Sequence, residues 1–469
     1  MKNIKKLNEE CAVFGVSCYP LDSLNKSNEE SDAACITYNG LIALQHRGQD
    51  GAGIAAVNNR EIICQKDAGL VTEVFSPAAP EKMPKGYTAV GHTRYSSTGD
   101  RTKENAGPFV TEYLTGRIAT AHNGRIINLK EISEKLNNYG VRFSAKSDIE
   151  IISALIAYHI TNAKSALLGV IKAADSLKGA YSLVIASSKN KLFAIRDPNG
   201  FRPLCLGKNQ GGYAVSSESC ALEVCGFEFE RDVLPGEVIV IQDGEIIHSG
   251  VSLAKKDETH GLCVFEYVYF ARPDSIVDGL SVYESRYNMG VILAKEHSAE
   301  ADIVCGVPDS GLVAASGYSA QSGIPLVSGF EKNRYLGRSF IYPTQMQRDS
   351  IVRQKLNPLS ANVKGKRVVL VDDSIVRGTT CEKIIKSLKN AGAKDVHMRV
   401  CAPPFINVCN YGTDIDDTEK LIANKMGINE ICKEIGADSL GYISIEGLKT
   451  ACKKCNLPLC IECFTKGDK

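Results

Sequence analysis

The sequence predicts a two-domain α/β protein, with helices layered on antiparallel sheet in the first half and a parallel sheet crossed by helices in the second. Three observations carry this. The chain has 469 residues, too many for one ordinary core. Up to about residue 250, short apolar or alternating runs bounded by turn residues follow one another, with helical segments in blocks between them. After about residue 260, buried runs alternate with helical segments, the pattern of crossover connections between parallel strands.

In the first half the strand candidates are CAVFGV, GIAAV, YTAVGHT, GRIATAHNG, YSLVIAS, KLFAIRD, GYAVSS, GEVIVIQ and GEIIHSG. Residues 33–45 place apolar side chains at helical spacing. Residues 148–159 follow Ser147 and carry acids in their first turn, which suits a helix N-terminus. Such blocks indicate layers rather than a barrel. In the second half, DIVCGVP, PLVSGF, RVVLVDD and DVHMRVC read as strands. One helix ends at Ser322 and another runs from Thr379 to Asn390. The domain boundary is expected in the polar stretch 254–261. Residues 332–357 lack apolar periodicity, and their Lys and Arg residues outnumber a single Asp. A long basic loop beside a parallel sheet suggests capture of a polyanionic small molecule.

Composition narrows the class. Apolar residues make up 44% and charged residues 23%, and the net charge is +1. No basic field points to nucleic acid, and no apolar run reaches membrane-spanning length. Residues 1–10 carry lysines but no apolar core, so no secretory signal is read there and the expected compartment is the cytoplasm. The 17 cysteines are therefore not expected as disulfides. Cys35, Cys64, Cys205, Cys381 and Cys401 sit in apolar contexts and read as small core side chains.

Four polar or Gly-rich turns follow apolar runs in the first half: QHRGQDGAG (45–53), GHTRYSSTG (91–99), HNGRI (122–126) and KSDIE (146–150). Each alone is an ordinary strand-end loop. In the second half, VVLVDDSIVRGTT (368–380) is a buried strand ending in two acids, then a Ser/Gly/Thr turn opening a helix. Backbone N–H groups at such a helix start cradle phosphate. Acids at the carboxyl end of a parallel strand hold ribose hydroxyls or a metal.

In this order, behind a near-terminal Glu10-Cys11-Ala12-Val13-Phe14-Gly15, the turns resemble the N-terminal-nucleophile glutamine amidotransferases. The resemblance is closest to the glutamine phosphoribosylpyrophosphate amidotransferase family and covers the whole chain. Ala12 replaces a glycine of the family pattern. The resemblance implies an αββα glutaminase sandwich over residues 11–255 and a type I phosphoribosyltransferase domain over 262–469. Residues 1–10 look like a propeptide.

Cys11 would be the nucleophile, and the chemistry explains the cleavage. A free thiol has a pKa of about 8.5, whereas an α-amine lies at about 7.7–8.0. Once exposed, the amine of Cys11 can take the thiol proton and return it to leaving ammonia; a peptide nitrogen cannot. By the same resemblance, Arg94 matches the clamp for the glutamine α-carboxylate and Asp148 the acid that holds the α-ammonium. Asn123 and Gly124 match the oxyanion hole. Tyr95 matches a residue near the ammonia exit, and Ser97 replaces a common threonine.

In the second half the resemblance makes Asp372 and Asp373 the acidic pair. Ser374, Arg377, Gly378, Thr379 and Thr380 fall in the 5′-phosphate loop. CGVPDSG (305–311) resembles the pyrophosphate loop, with Ser310 at a position linked to Mg²⁺. The basic stretch 332–357 resembles the loop that closes over substrate. The implied reaction cleaves glutamine, passes ammonia internally, and displaces pyrophosphate from C1 of phosphoribosylpyrophosphate. The family also implies a homotetramer with purine nucleotide feedback inhibitors.

The C-terminal cysteines 452, 455, 460 and 463 have C-x₂-C-x₄-C-x₂-C spacing. Structural zinc sites usually have a longer central gap, so zinc is left open without being favoured. The iron–sulfur branch of the family implies another set: Cys263, Cys409, Cys460 and Cys463 around a [4Fe–4S] cluster. That leaves Cys452 and Cys455 without a role. Two competing readings are weaker. A glucosamine-phosphate synthase would lack VVLVDDSIVRGTT, and a ligand-sensing repressor would not explain Cys11, Arg94, Asn123 and Asp148 together.

Overall fold

A computed structural model describes residues 11–20, 32–75, 83–95, 102–143, 147–254, 261–333, 356–413, 415 and 417–465. Several sequence-based expectations lie outside them: residues 1–10, Ser97, most of the stretch 254–261, and residues 334–355 of the basic loop.

The first half is a four-layer sandwich. A seven-stranded antiparallel sheet has Ala12–Cys18 at its centre, between Thr88–Arg94 and Gly212–Ser216. A six-stranded antiparallel sheet contains Gly116–Ile126, Gly179–Ser187 and Lys191–Arg196 as neighbours. Alternation along each strand sends one set of side chains to the partner sheet and the other to a helix layer. Thus Val13, Val90, Ala121, Val184 and Ile239 share the core between the sheets. Phe14 and Val16 point the other way, to the helix Ala33–Ala43. Ile118 and Leu183 pack under the helices Leu129–Asn138, Asp148–Ala163 and Ala166–Ser176. Helices outside and sheets inside give the αββα order.

The second half centres on four parallel strands, Ile303–Gly306, Arg367–Asp372, Asp395–Val400 and Ser439–Tyr442, adjacent in that order. Both faces are covered, so the strands are apolar on both sides. One face packs the helices Val282–Glu296 and Gly311–Ser322. The other packs Thr379–Asn390, whose Cys381, Ile384, Ile385 and Leu388 form one buried stripe. PLVSGF does not form the expected strand. It makes a single bridge, Val304 to Leu326, because Pro325 has no N–H to extend a ladder. The ends of the basic stretch pair as a short antiparallel ribbon, Phe330–Lys332 with Leu356–Pro358.

None of the 17 cysteines forms a disulfide. Cys205, Cys381 and Cys401 are buried as expected, while Cys35 and Cys64 are half-buried. No helix among the described residues is long and apolar enough to cross a membrane.

Val282–Glu296 and Gly311–Ser322 touch backbone to backbone. A Cβ on Gly317 would lie 2.0 Å from the Tyr287 carbonyl oxygen, and one on Gly290 1.8 Å from that of Ala314. Gly317→Ala should therefore lower unfolding stability by about 1–3 kcal/mol through overpacking. Denaturant titration checks this, and an unchanged midpoint would contradict the contact.

Candidate active site

Cys11 stands at the head of the central strand Ala12–Cys18 and is half-buried. Its Sγ lies 3.4 Å from the Tyr95 N–H and 3.7 Å from the Tyr95 carbonyl oxygen. Register explains the meeting: Ala12 pairs with Thr93, so the chain leaving Arg94 passes the Cys11 side chain. Arg94, half-buried, ends that neighbouring strand, and its carbonyl accepts from the Asp50 N–H at 2.9 Å.

Asn123 and Gly124 lie on Gly116–Ile126. The Asn123 side chain is fully buried, yet among the described residues neither its Nδ2 nor its Oδ1 has a hydrogen-bond partner. A buried amide left unpaired is costly, and such exceptions concentrate where a ligand completes the set. Gly124 has φ +134°, and a Cβ there would lie 2.2 Å from the Ala180 carbonyl oxygen. Only glycine fits that backbone.

Asp148 opens the helix Asp148–Ala163. Its Oδ1 accepts from the Ile149 N–H at 2.9 Å, and its Oδ2 lies 3.3 Å from His122 Nδ1. Burial pushes its carboxyl up, but the His122 hydrogen bond and charge outweigh this and hold it below the usual range. His92 lies behind, 0% exposed. Burial pushes its pKa down to about 3, so the ring is neutral and its Nε2 donates to the His122 carbonyl at 2.9 Å. HNGRI therefore places an acid-orienting imidazole next to the unpaired amide. The sequence singled out the stretch but missed the role of His122.

A buried ion network lies behind Cys11. Arg47, 1% exposed, donates through Nε to the Cys11 carbonyl at 3.4 Å. Its Nη1 meets Glu218 at 2.8 Å, and both Nη atoms meet Glu266 at 2.9 Å. Arg202 reaches the same Glu266 at 3.3 Å. Glu218 also accepts from His46, from the Arg272 N–H and from Ser275. Burial pushes the Glu218 carboxyl up, but His46 and Arg47 reverse this and hold it far below the usual range. Nearby, Arg196 grips Asp278 bidentately, both distances 2.7 Å. Sequence reasoning missed these residues because each binds a partner distant in the chain.

The second pocket sits at the carboxyl end of Arg367–Asp372, walled by Tyr269 and the turn 372–381, which includes Ser374, Arg377, Gly378, Thr379 and Thr380. Gly378, at φ +80°, caps the helix Thr379–Asn390. Asp372 Oδ1 accepts the Asp373 N–H at 3.0 Å. Asp373 accepts from Ser310 Oγ at 2.5 Å and from Ser374 Oγ. Ser310 follows a cis Pro308–Asp309 peptide, and Asp309 pairs with Lys332 of the basic stretch. Burial pushes the Tyr269 hydroxyl up, and Asp373 and Asp372 add to it.

Cys263, Cys409, Cys460 and Cys463 come from three chain segments and meet at one place. Cys263 pairs with Cys460 across a short parallel bridge. The Cys463 carbonyl accepts from the Ile406 and Asn407 N–H groups, at 2.9 and 3.2 Å, and so draws in the segment bearing Cys409. Burial pushes the Cys463 thiol well up, with Cys263, Cys409 and Cys460 each adding. Burial, then Cys409 among its neighbours, takes Cys460 up to about 12. Cys452 and Cys455 couple to each other instead, with Cys455 beside Tyr267. Cys460 and Cys463 thus neighbour Cys263 and Cys409, while Cys452 and Cys455 neighbour each other. Among the described residues, no three His, Cys, Asp or Glu side chains converge as a group that could hold a single metal ion.

Comparison with known proteins agrees with both halves. Residues 92–224 match the model of a glutamine amidotransferase domain, and residues 289–404 that of a phosphoribosyl transferase domain. The amidophosphoribosyltransferase of Methanocaldococcus jannaschii is 44% identical over 467 residues, covering 97% of this chain and 96% of that protein. The Bacillus subtilis amidophosphoribosyltransferase is 42% identical, covering 99% and 95%. A solved structure of the B. subtilis glutamine phosphoribosylpyrophosphate amidotransferase, complexed with ADP and GMP, superimposes with a TM-score of 0.86. It is 40% identical and covers 97% of this chain and 96% of that one. The chain belongs to the amidophosphoribosyltransferase family.

Proposed function

We propose that the chain makes 5-phosphoribosylamine, pyrophosphate and glutamate from glutamine and phosphoribosylpyrophosphate, the first step of purine synthesis, with Cys11 as nucleophile once residues 1–10 are removed. The supporting observation is the Arg47 guanidinium, which holds the Cys11 carbonyl on one side and Glu266, three residues before Tyr269 of the second pocket, on the other. Residues 11–255 are the glutaminase unit and 262–469 the phosphoribosyltransferase unit.

The α-amine of Cys11 takes the thiol proton as Sγ attacks the glutamine amide carbon. Arg94 holds the substrate carboxylate and Asp148 its ammonium. The developing oxyanion accepts from Asn123 Nδ2 and the Gly124 N–H, so the unpaired amide gains its partner as charge develops. Collapse expels ammonia, which takes the proton from the α-amine. Water then cleaves the thioester to glutamate. In the second pocket, ammonia attacks C1 as the bond to pyrophosphate breaks. The turn 374–380 holds the 5′-phosphate with backbone N–H groups and its hydroxyls.

Ser310, Asp372 and Asp373 form an all-oxygen set, which suits Mg²⁺; bound there, the ion offsets pyrophosphate charge. Cys263, Cys409, Cys460 and Cys463 would hold a [4Fe–4S] cluster. Close to one another, these four thiols would supply its sulfur ligands. The cluster would be structural, tying the last segment to the core. The ADP and GMP complex of the B. subtilis relative supports purine nucleotides as feedback inhibitors. We place the enzyme in the cytoplasm as a homotetramer.

Glutaminase activity of the processed protein should rise strongly with phosphoribosylpyrophosphate; indifference would contradict the reading. Cys11→Ser should abolish glutamine use while sparing synthesis from free ammonia. Asn123→Ala should cost about 10²–10³ in glutaminase kcat, and a loss confined to glutamine KM would remove it from the oxyanion hole. Anaerobically purified protein should contain iron and acid-labile sulfide; zinc in their place would defeat the cluster.

A further inference from the structure

Arg286, on the helix Val282–Glu296, is 4% exposed. Its Nε donates to the Tyr267 carbonyl at 2.7 Å and its Nη2 to the Ala271 carbonyl at 2.8 Å. Among the described residues no carboxylate pairs with it directly. With two of its five N–H donors on carbonyls, this buried guanidinium fixes backbone, while Asp373 and Glu218 stand close enough to act on its charge.

That backbone is unusual. Glu266–Phe270 is a π-helical turn, closed by the Ala271 N–H donating to the Glu266 carbonyl at 3.1 Å. In an α-helix the same N–H would bond Tyr267. The π register therefore strips the Tyr267 carbonyl of its helical partner, in a segment where Tyr267 is fully buried. Arg286 supplies the missing donor, and its second nitrogen takes the carbonyl of Ala271, where the turn ends. Such insertions recur at functional sites. This one carries Glu266, which binds Arg47, and Tyr269, which walls the pocket at Asp372 and Asp373.

We propose that Arg286 is a positioning residue for the coupled reaction: by satisfying both carbonyls it holds the π register that points Tyr269 at the phosphoribosylpyrophosphate pocket and Glu266 at Arg47. Without it the segment regains α-helical bonding, from the Ala271 N–H to Tyr267. That change rotates Tyr269 relative to Glu266, and the two sites lose their common alignment. The inference rests on the functional reading above.

The test uses the processed full-length protein and its Arg286→Met and Arg286→Lys variants, with folding checked by circular dichroism and thermal melting. Three readouts are taken: glutaminase without phosphoribosylpyrophosphate, its stimulation by phosphoribosylpyrophosphate, and ammonia-dependent synthesis. Arg286→Met should keep the unstimulated glutaminase rate and lose stimulation by about 10-fold, the size of a typical coupling between sites. Its KM for phosphoribosylpyrophosphate in the ammonia reaction should rise by a similar factor, about 10-fold, with kcat changed less. Arg286→Lys keeps the charge but carries its donors on a single nitrogen, which cannot span both carbonyls, so it should recover stimulation only in part. If the Met variant does not fold, the Lys variant carries the same test. A folded variant with full stimulation and unchanged KM would overturn the proposal, as would equal loss of every rate. If the unsubstituted protein shows no stimulation, the functional reading falls and this inference falls with it. If stimulation is present and survives both substitutions, only the role of Arg286 falls.

Discussion

The buried guanidinium of Arg47 is the constraint on which the two-site arrangement depends. It cannot lose its proton, so the fold must surround it with acceptors. It takes the Cys11 carbonyl, Glu218 and Glu266, and Glu266 in turn takes Arg202. Breaking one member of such a set typically costs about 3–5 kcal/mol, because the partner is left charged and buried. The two halves of the chain are thus held in register directly behind the nucleophile. Arg196 with Asp278 repeats the arrangement nearby.

This explains why the glutaminase sheets and the parallel sheet act as one enzyme rather than two modules on a linker. Ammonia is small, neutral and quickly lost to water, so its release and capture must share a protected space. The seam is buried and charge-paired, and the π-helical turn Glu266–Phe270 contributes to both sites. The cysteine cluster abuts the same seam. Phe201 stacks on Tyr411 with centroids 4.1 Å apart, and Arg202 donates to the Tyr411 carbonyl at 2.7 Å. A change at Cys409 is therefore two residues from the interface with the glutaminase half.

Much of this was legible in the sequence, for local reasons. Arg94 and Asp372 end strands whose apolar patterns are plain, Asn123 lies within another, and Asp148 opens a helix behind Ser147, so local pattern fixes where each side chain stands. The non-local part was not legible. Arg47 lies in a stretch singled out as a turn, but its acceptors are 171 and 219 residues away, and no periodicity reports such a pairing. Arg286 looks like any polar residue on a helix, and the π turn has no spacing signature. PLVSGF misled because its apolar run hid the missing donor of Pro325. Among the cysteines, spacing grouped 452 and 455 with 460 and 463, whereas the fold brings 263 and 409 to the last pair.

Both sites work as one across the buried Arg47–Glu266 seam, with ammonia passing between them. The direct measurement supplies the processed enzyme with amide-labelled heavy-nitrogen glutamine, phosphoribosylpyrophosphate and an excess of unlabelled ammonium, and follows the isotope in phosphoribosylamine by trapping and mass spectrometry. Internal transfer predicts product carrying the glutamine label, little diluted by the ammonium pool at a pH where most of that pool is protonated. Product whose label matches the bulk ammonium pool would contradict the account.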